Sequence, residues 1–218
     1  MMDAKIRCAV FDVDDTLYSD DCGMWLEIRA RINKYMVDRL GVPEVEAQGQ
    51  RERYFREYGN SLAGLRYDYP DIDSDEYLTY VHDVPYERYL ARDDELVRML
   101  KGLTLAKSVF TNADRAHALN VLSALGVEKE FDLIVDIYAT NFVNKPRIGA
   151  FNVLFETLEA EARECVLLDD QERNLEMARS MGMATILVRP DASAGGVADF
   201  CVPDVLHAGG VLRRLVAE

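Results

Sequence analysis

Five short apolar runs, separated by stretches long enough to be helices, constrain this chain more than any other feature. Ile6-Arg7-Cys8-Ala9-Val10-Phe11 is the first, and Ala106 to Phe110, Cys165 to Leu168 and Ala184 to Val188 repeat its character. Leu133-Ile134-Val135 is a weaker fifth. Short apolar runs bounded by acidic and turn residues are how strands buried on both faces of a parallel sheet look. Between them, Ala113 to Leu125, Pro146 to Leu158 and Glu172 to Met181 have helical length and period, and Gly126 and Gly182 stand where those helices should stop. Strands alternating with helices predict right-handed βαβ units and an α/β fold built on a doubly wound parallel sheet.

The stretch from Tyr18 to Arg92 breaks the alternation and holds no convincing strand. Trp25, Ile28, Ile32, Met36 and Leu40 recur on one helical face, stopped by Gly41 and Pro43. Val45 to Tyr58 predicts a second helix, and Asp75 to His82 a third, capped by Asp73 or Ser74. The expected organisation is an α/β core from residues 1–17 and 93–218, with a small α-helical cap, residues 18–92, inserted after the first strand. Residues Asp191 to Pro203 read as a loop, and Val205 to Val216 as a last helix.

Composition narrows the function class. Lys and Arg total 25 against 39 Asp and Glu, a net charge of −14, which argues against a nucleic-acid polymer or anionic lipid as partner. No run of 18 apolar residues is present, and the opening MMDAKIRCAVFDVDD has no apolar stretch followed by a cleavage site. Cys8, Cys22, Cys165 and Cys201 are widely spaced, without a zinc or disulfide pattern. The expectation is a cytoplasmic protein, monomeric or homodimeric, acting on a small molecule.

Ligands of open α/β sheets bind at the carboxyl ends of the strands. Asp12-Val13-Asp14-Asp15-Thr16 follows the first strand, Thr111-Asn112 the second and Asp169-Asp170 the fourth, and Lys145 precedes a helix. A carboxylate can attack phosphorus and split one hard displacement into two easier ones. A second carboxyl can protonate the leaving oxygen and then activate water. Two carboxylates beside a phosphate dianion repel it, which calls for a hard cation such as Mg²⁺, with Asp169 or Asp170 as a further ligand. Lys145 and Thr111 offer fixed positive charge and a hydroxyl donor to the phosphoryl oxygens. Asn112, beside Thr111, is a candidate phosphate neighbour. Singly, each residue has a blander role: Asp14 in a turn, Thr111-Asn112 as a helix cap, Lys145 on the surface, Asp169-Asp170 at a helix N-terminus.

Together, DVDDT after strand one, VFTNAD, NKPRIGAF and VLLDDQERNL resemble the four motifs of the haloacid dehalogenase-like (HAD) hydrolase superfamily, over almost the whole chain. The resemblance implies a Rossmann-like core, Asp12 as nucleophile and Asp14 as acid/base. It further implies Mg²⁺ held by the Asp12 side chain, the Asp14 main-chain carbonyl and Asp170, with Asp169 close by. INKYMVDRLGVP, YFREYGNSLAGL, DEYLTYVHDVPYERYL and VFTNADRAHALNVLSALGV are similar to the pyrimidine 5′-nucleotidase branch, although Gln171 and Arg92 replace a Ser and a Pro frequent there. That likeness implies a Mg²⁺-dependent phosphomonoesterase acting on nucleoside 5′-monophosphates through an aspartyl-phosphate. A sugar-phosphate phosphatase or phosphomutase is the alternative, ahead of a phosphoaspartate receiver or an idle binding protein. Asn60 and Arg66, with Tyr58 and His82, are the candidates for recognising base or sugar.

Overall fold

The computed structural model describes residues 5–191 and 196–217, and the chain divides into two compact units: Met1–Ser19 with Leu90–Glu218, and Asp20–Tyr89. Among the described residues, no helix is long and apolar enough to cross a membrane.

The smaller unit is helical: α1 (Met24–Leu40), α2 (Glu44–Tyr58), α3 (Ser61–Asp68), α4 (Ser74–Val81) and the single turn α5 (Tyr86–Tyr89). Ile28, Ile32 and Met36 bury one face of α1 as their spacing predicts, joined by Met24 and Tyr35, while Trp25 and Leu40 are only partly buried. Gly41 ends α1 in the left-handed conformation at φ 70°. Helix α3 was not anticipated. Its N-cap is Asn60, whose side-chain oxygen accepts from Ala63 N at 2.7 Å. It packs so closely on α2 that a Cβ at Gly64 would lie 2.2 Å from the Tyr54 ring, so only glycine fits there.

The larger unit holds a six-stranded sheet. Its strands are β1 (Cys8–Phe11), β2 (Ala106–Phe110), β3 (Leu133–Val135), β4 (Cys165–Asp169), β5 (Ala184–Val188) and β6 (Phe200–Val202), in the order β3-β2-β1-β4-β5-β6. Every pairing is parallel. The helices are α6 (Asp94–Lys101), α7 (Arg115–Leu125), α8 (Ile148–Leu158), α9 (Glu172–Ser180) and α10 (Val205–Ala217).

One expectation is corrected. The loop expected over Asp191 to Pro203 contains β6, and residues 192–195 of it lie outside the described ones. Three residues in an Ala-, Gly- and Asp-rich stretch give no strand signal by themselves. The strand forms because β5 offers a parallel edge and because Thr185 and Asp199 bond reciprocally: Thr185 N and Oγ donate to Asp199 Oδ2 at 3.0 and 2.8 Å, and Asp199 N donates back at 3.0 Å. Helix α6 is an element that the sequence pattern does not announce. Asp93 caps it by accepting from Glu95 N and Leu96 N, and Leu96, Val97 and Leu100 are buried.

Strand parity positions the site. Cys8 and Val10 of β1, Phe110 of β2, Cys165 and Leu167 of β4 and Leu187 of β5 bury together with Ala150, Phe151 and Leu154 of α8 and Leu175 and Ala178 of α9. Side chains alternate along a strand. Asp12, two beyond Val10, and Asp169, two beyond Leu167, therefore belong to the same face. β1 and β4 are neighbours in direct register, Phe11 opposite Leu168. The strand order reverses there, the point at which open α/β sheets bind ligands.

Candidate active site

Asp12 extends the sheet by one bond, its N–H donating to Leu168 O at 2.9 Å. The chain then turns sharply: Leu17 N donates to Val13 O at 2.9 Å, and Asp15 adopts φ 59°. Asp tolerates the left-handed region better than most residues. The turn ends the strand geometry between Asp12 and Asp14. Asp14 Oδ1 accepts from Tyr18 OH at 2.6 Å and lies 2.8 Å from His117 Nε2.

Lys145 comes from the segment between β3 and α8 and is 1% exposed. Its ammonium has three partners: Asp12 Oδ1 at 2.8 Å, Asp169 Oδ2 at 2.7 Å and Phe110 O at 2.8 Å. It also lies 5.1 Å from the Phe110 ring centroid. Burial alone would lower its pKa, but Asp12 and Asp169 outweigh that and hold it above the usual ammonium range. Lys145 is thus a fully engaged buried cation, not the surface lysine of the blander alternative. Its backbone is fixed by two side chains. Asn112 Oδ1 accepts from Lys145 N at 2.7 Å, Asn112 Nδ2 donates to Lys145 O at 3.2 Å, and Asn144 Nδ2 donates to the same carbonyl at 2.8 Å. Asn112 therefore orients the lysine.

Asp169 is fully buried at the end of β4. Asn174 Nδ2 reaches both its oxygens, at 2.9 and 3.0 Å, and Gln171 N donates to Oδ1 at 2.8 Å. Asp170 accepts from Gln171 Nε2. One carboxylate oxygen from each of Asp12, Asp169 and Asp170 lies within 4.8 Å of the others. Burial, with mutual repulsion second, pushes Asp12 and Asp170 above the usual carboxylate range. Three acids face one ammonium, and their donors are all oxygen. Such a set fits a hard divalent cation, which would relieve the repulsion.

Thr111 is buried just beyond β2, where its hydroxyl oxygen accepts from Ala113 N at 3.0 Å. Helix α7 is capped by Asp114, not by Thr111-Asn112, since Asp114 accepts from His117 N at 2.9 Å. The remaining candidates lie on the helical unit. Asn60 caps α3, and Arg66 is exposed on that helix. Tyr58 packs on Tyr54 and Tyr67 with centroids 6.2 and 5.3 Å apart, and the His82 carbonyl accepts from Tyr86 OH at 2.9 Å.

Sequence reasoning missed His117, Asn144 and Asn174 and gave Tyr18 no task. A signal was available for His117 and Asn174: both fall in the first turn of a helix that directly follows a strand, and so at the carboxyl end of the sheet.

The family model for haloacid dehalogenase-like hydrolases matches residues 6–182. Phosphate metabolism protein 8 of Saccharomyces cerevisiae is 29% identical over 195 residues, which cover 81% of this chain and 60% of that protein. The chain thus spans about 60% of the length of that relative. Bifunctional epoxide hydrolase 2 of Mus musculus is 41% identical over 68 residues, 31% of this chain and 12% of that protein. Among solved structures, the HAD-hydrolase YfnB from Bacillus subtilis bound to magnesium superposes with a TM-score of 0.64 at 16% identity, covering 96% of this chain and 99% of that one. A HAD phosphatase from Thermococcus onnurineus gives 0.62 at 20%, covering 95% and 98%. L-2-haloacid dehalogenase from Xanthobacter autotrophicus gives 0.62 at 15%, covering 95% and 98%. At these identities the structural likeness speaks for the fold. By the family match and its extent, the chain belongs to the haloacid dehalogenase-like hydrolases.

Proposed function

We propose that this chain is a Mg²⁺-dependent phosphomonoester hydrolase that works through an aspartyl-phosphate on Asp12, with pyrimidine nucleoside 5′-monophosphates as preferred substrates. The observation that carries this reading is the buried bridge from Lys145 Nζ to Asp12 and Asp169, at 2.8 and 2.7 Å. It fixes a carboxylate at a strand end beside a permanent cation, where a phosphoryl group gains both a nucleophile and a counter-charge.

Lys145 holds Asp12 Oδ1, while the contact from the Thr16 hydroxyl to Oδ2 is long, 3.5 Å. Oδ2 is the oxygen that attacks phosphorus. The ester P–O bond breaks, its electron pair passes to the leaving oxygen, and Asp14 supplies the proton. In the return step Asp14 takes a proton from water as the water oxygen attacks the acyl phosphate. Phosphate leaves, and Asp12 is free again. The Thr111 hydroxyl and Lys145 neutralise the phosphoryl oxygens throughout. Mg²⁺, held by Asp12, Asp170 and the Asp14 main-chain carbonyl with Asp169 alongside, would supply charge neutralisation between substrate and carboxylates.

Leaving-group choice is assigned to the helical unit, Asp20–Tyr89, on its resemblance alone. The nucleotide preference rests on the phrases of that unit that resemble the pyrimidine 5′-nucleotidase branch. Some solved structures of this fold are of haloacid dehalogenases. Halide expulsion needs no proton donor, whereas Asp14 is a carboxyl with two partners aimed at one of its oxygens.

Phosphate release from UMP, CMP, AMP and a sugar phosphate, with and without Mg²⁺, tests the proposal. It expects Mg²⁺-dependent release with the highest kcat/KM for UMP or CMP. Release led by the sugar phosphate would overturn the nucleotide preference. No release from any ester would overturn the phosphatase reading.

A further inference from the structure

We infer that His117 is a positioning residue for Asp14, and that with Tyr18 it directs the acid proton of that carboxyl onto Oδ2. The inference rests on the phosphatase reading above and deepens it.

His117 sits in the first turn of α7, its backbone fixed by the Asp114 cap, whose carboxylate accepts from His117 N at 2.9 Å. Its side chain is completely buried, yet Nε2 lies 2.8 Å from Asp14 Oδ1, 103 positions away in sequence. Tyr18 OH, on the turn that follows β1, donates to the same oxygen at 2.6 Å. With His117 taken as the Nε2–H tautomer, which lets the ring donate to the carboxylate, two polar hydrogens converge on Oδ1. A carboxyl oxygen has two in-plane lone pairs, and these two donors occupy both. A carboxylic acid carries one proton, which has no place on an oxygen already accepting twice. It therefore sits on Oδ2. The same contacts serve the return step, since the charge left on Oδ1 stays hydrogen-bonded while Oδ2 takes a proton from water. Rotation of the carboxyl, which would exchange the two oxygens, would break both bonds.

Leaving-group dependence separates this task from mere packing. Expulsion of p-nitrophenolate needs little protonation, whereas an alkoxide needs an acid. kcat/KM reports events up to transfer of the phosphoryl group to the enzyme and so isolates the acid step. The experiment compares p-nitrophenyl phosphate with UMP, or with the sugar phosphate if that is turned over faster, in wild type, His117→Leu, His117→Gln and Tyr18→Phe. Gln places an amide N–H near the position of Nε2. The expected result is a loss of about 100-fold for the alkyl ester in His117→Leu, the scale of general acid catalysis, with a loss at least about tenfold smaller for the aryl ester. His117→Gln should recover the alkyl ester selectively. Tyr18→Phe, which lies outside α7, should show the same bias and provides the test if His117→Leu does not fold. Equal losses on both esters in the folded variants, or a Gln variant no better than Leu, would overturn the inference alone. A wild-type protein inactive on every ester would overturn the phosphatase reading, and this inference with it.

Discussion

Asn112 grips the Lys145 peptide from both sides, Oδ1 accepting from Lys145 N at 2.7 Å and Nδ2 donating to Lys145 O at 3.2 Å. The two residues are 33 positions apart. The pairing ties the segment carrying the lysine to the end of β2.

Asn112→Ala removes both bonds and leaves the buried Lys145 N–H without this acceptor. A group stranded in this way costs about 1–3 kcal/mol. The variant should lose stability on that scale in denaturant titration and should lose kcat more than KM, because the lysine is displaced. Unchanged stability and kcat would contradict this role.

Lys145→Met replaces the buried cation with an apolar chain of similar length. Asp12 and Asp169 then face each other with that ammonium gone. Breaking a buried ion pair typically costs about 3–5 kcal/mol. Denaturant titration near pH 8 without metal should show a loss of that order, reduced at acid pH as the carboxylates take up protons. A variant as stable as wild type at both pH values would contradict it.

The pH dependence of the metal-free protein follows from Asp12 and Asp170. Burial, then neighbouring negative charge, raises Asp12 from 3.8 to about 7 and Asp170 from 3.8 to about 9. Between those limits the native state holds protons that the unfolded chain has released. Stability is therefore greatest below the unfolded value and falls as pH rises through about 7 and then about 9. Thermal unfolding in chelator should show Tm falling from about pH 5.5 to about pH 9. A Tm that rises over that range would contradict the charge arrangement.

Asp170→Asn keeps the shape and removes a carboxyl that the native state must hold protonated near pH 8 while the unfolded chain ionises it freely. Without metal near pH 8 the variant should unfold at a higher temperature than wild type. Mg²⁺ should raise the wild-type Tm, since a ligand that binds only the native state stabilises it, and should raise the variant's little. An equal Mg²⁺ shift in both proteins would exclude Asp170 from the metal site.

The parallel sheet was legible because short, mostly apolar runs alternate with stretches of helical length, and β2, β3 and β5 begin and end as their sequence predicts. Strand β6 was not, because Phe200–Val202 owes its form to the edge of β5 and to Asp199, a contact no local pattern encodes. Helix α6 was hidden because its cap, Asp93, and its apolar residues occupy only eight positions in a charged stretch. In the site, residue types at strand ends could be read because topology sends those ends to one edge. Partner choice could not. The turn with Asp15 at φ 59° swings Asp14 toward Tyr18 and His117, and the task of Asn112 depends on a peptide 33 positions away.

The most direct test of the central claim is to find where phosphorus becomes bound. Wild-type protein is quenched in acid during turnover of a phosphomonoester with Mg²⁺, reduced with borohydride, which converts an acyl phosphate to an alcohol, and digested for mass spectrometry. The account predicts homoserine at position 12, absent without substrate, and an Asp12→Asn protein that folds normally but neither releases phosphate nor gives the adduct. A modified residue at any other position, or full turnover by Asp12→Asn, would contradict it.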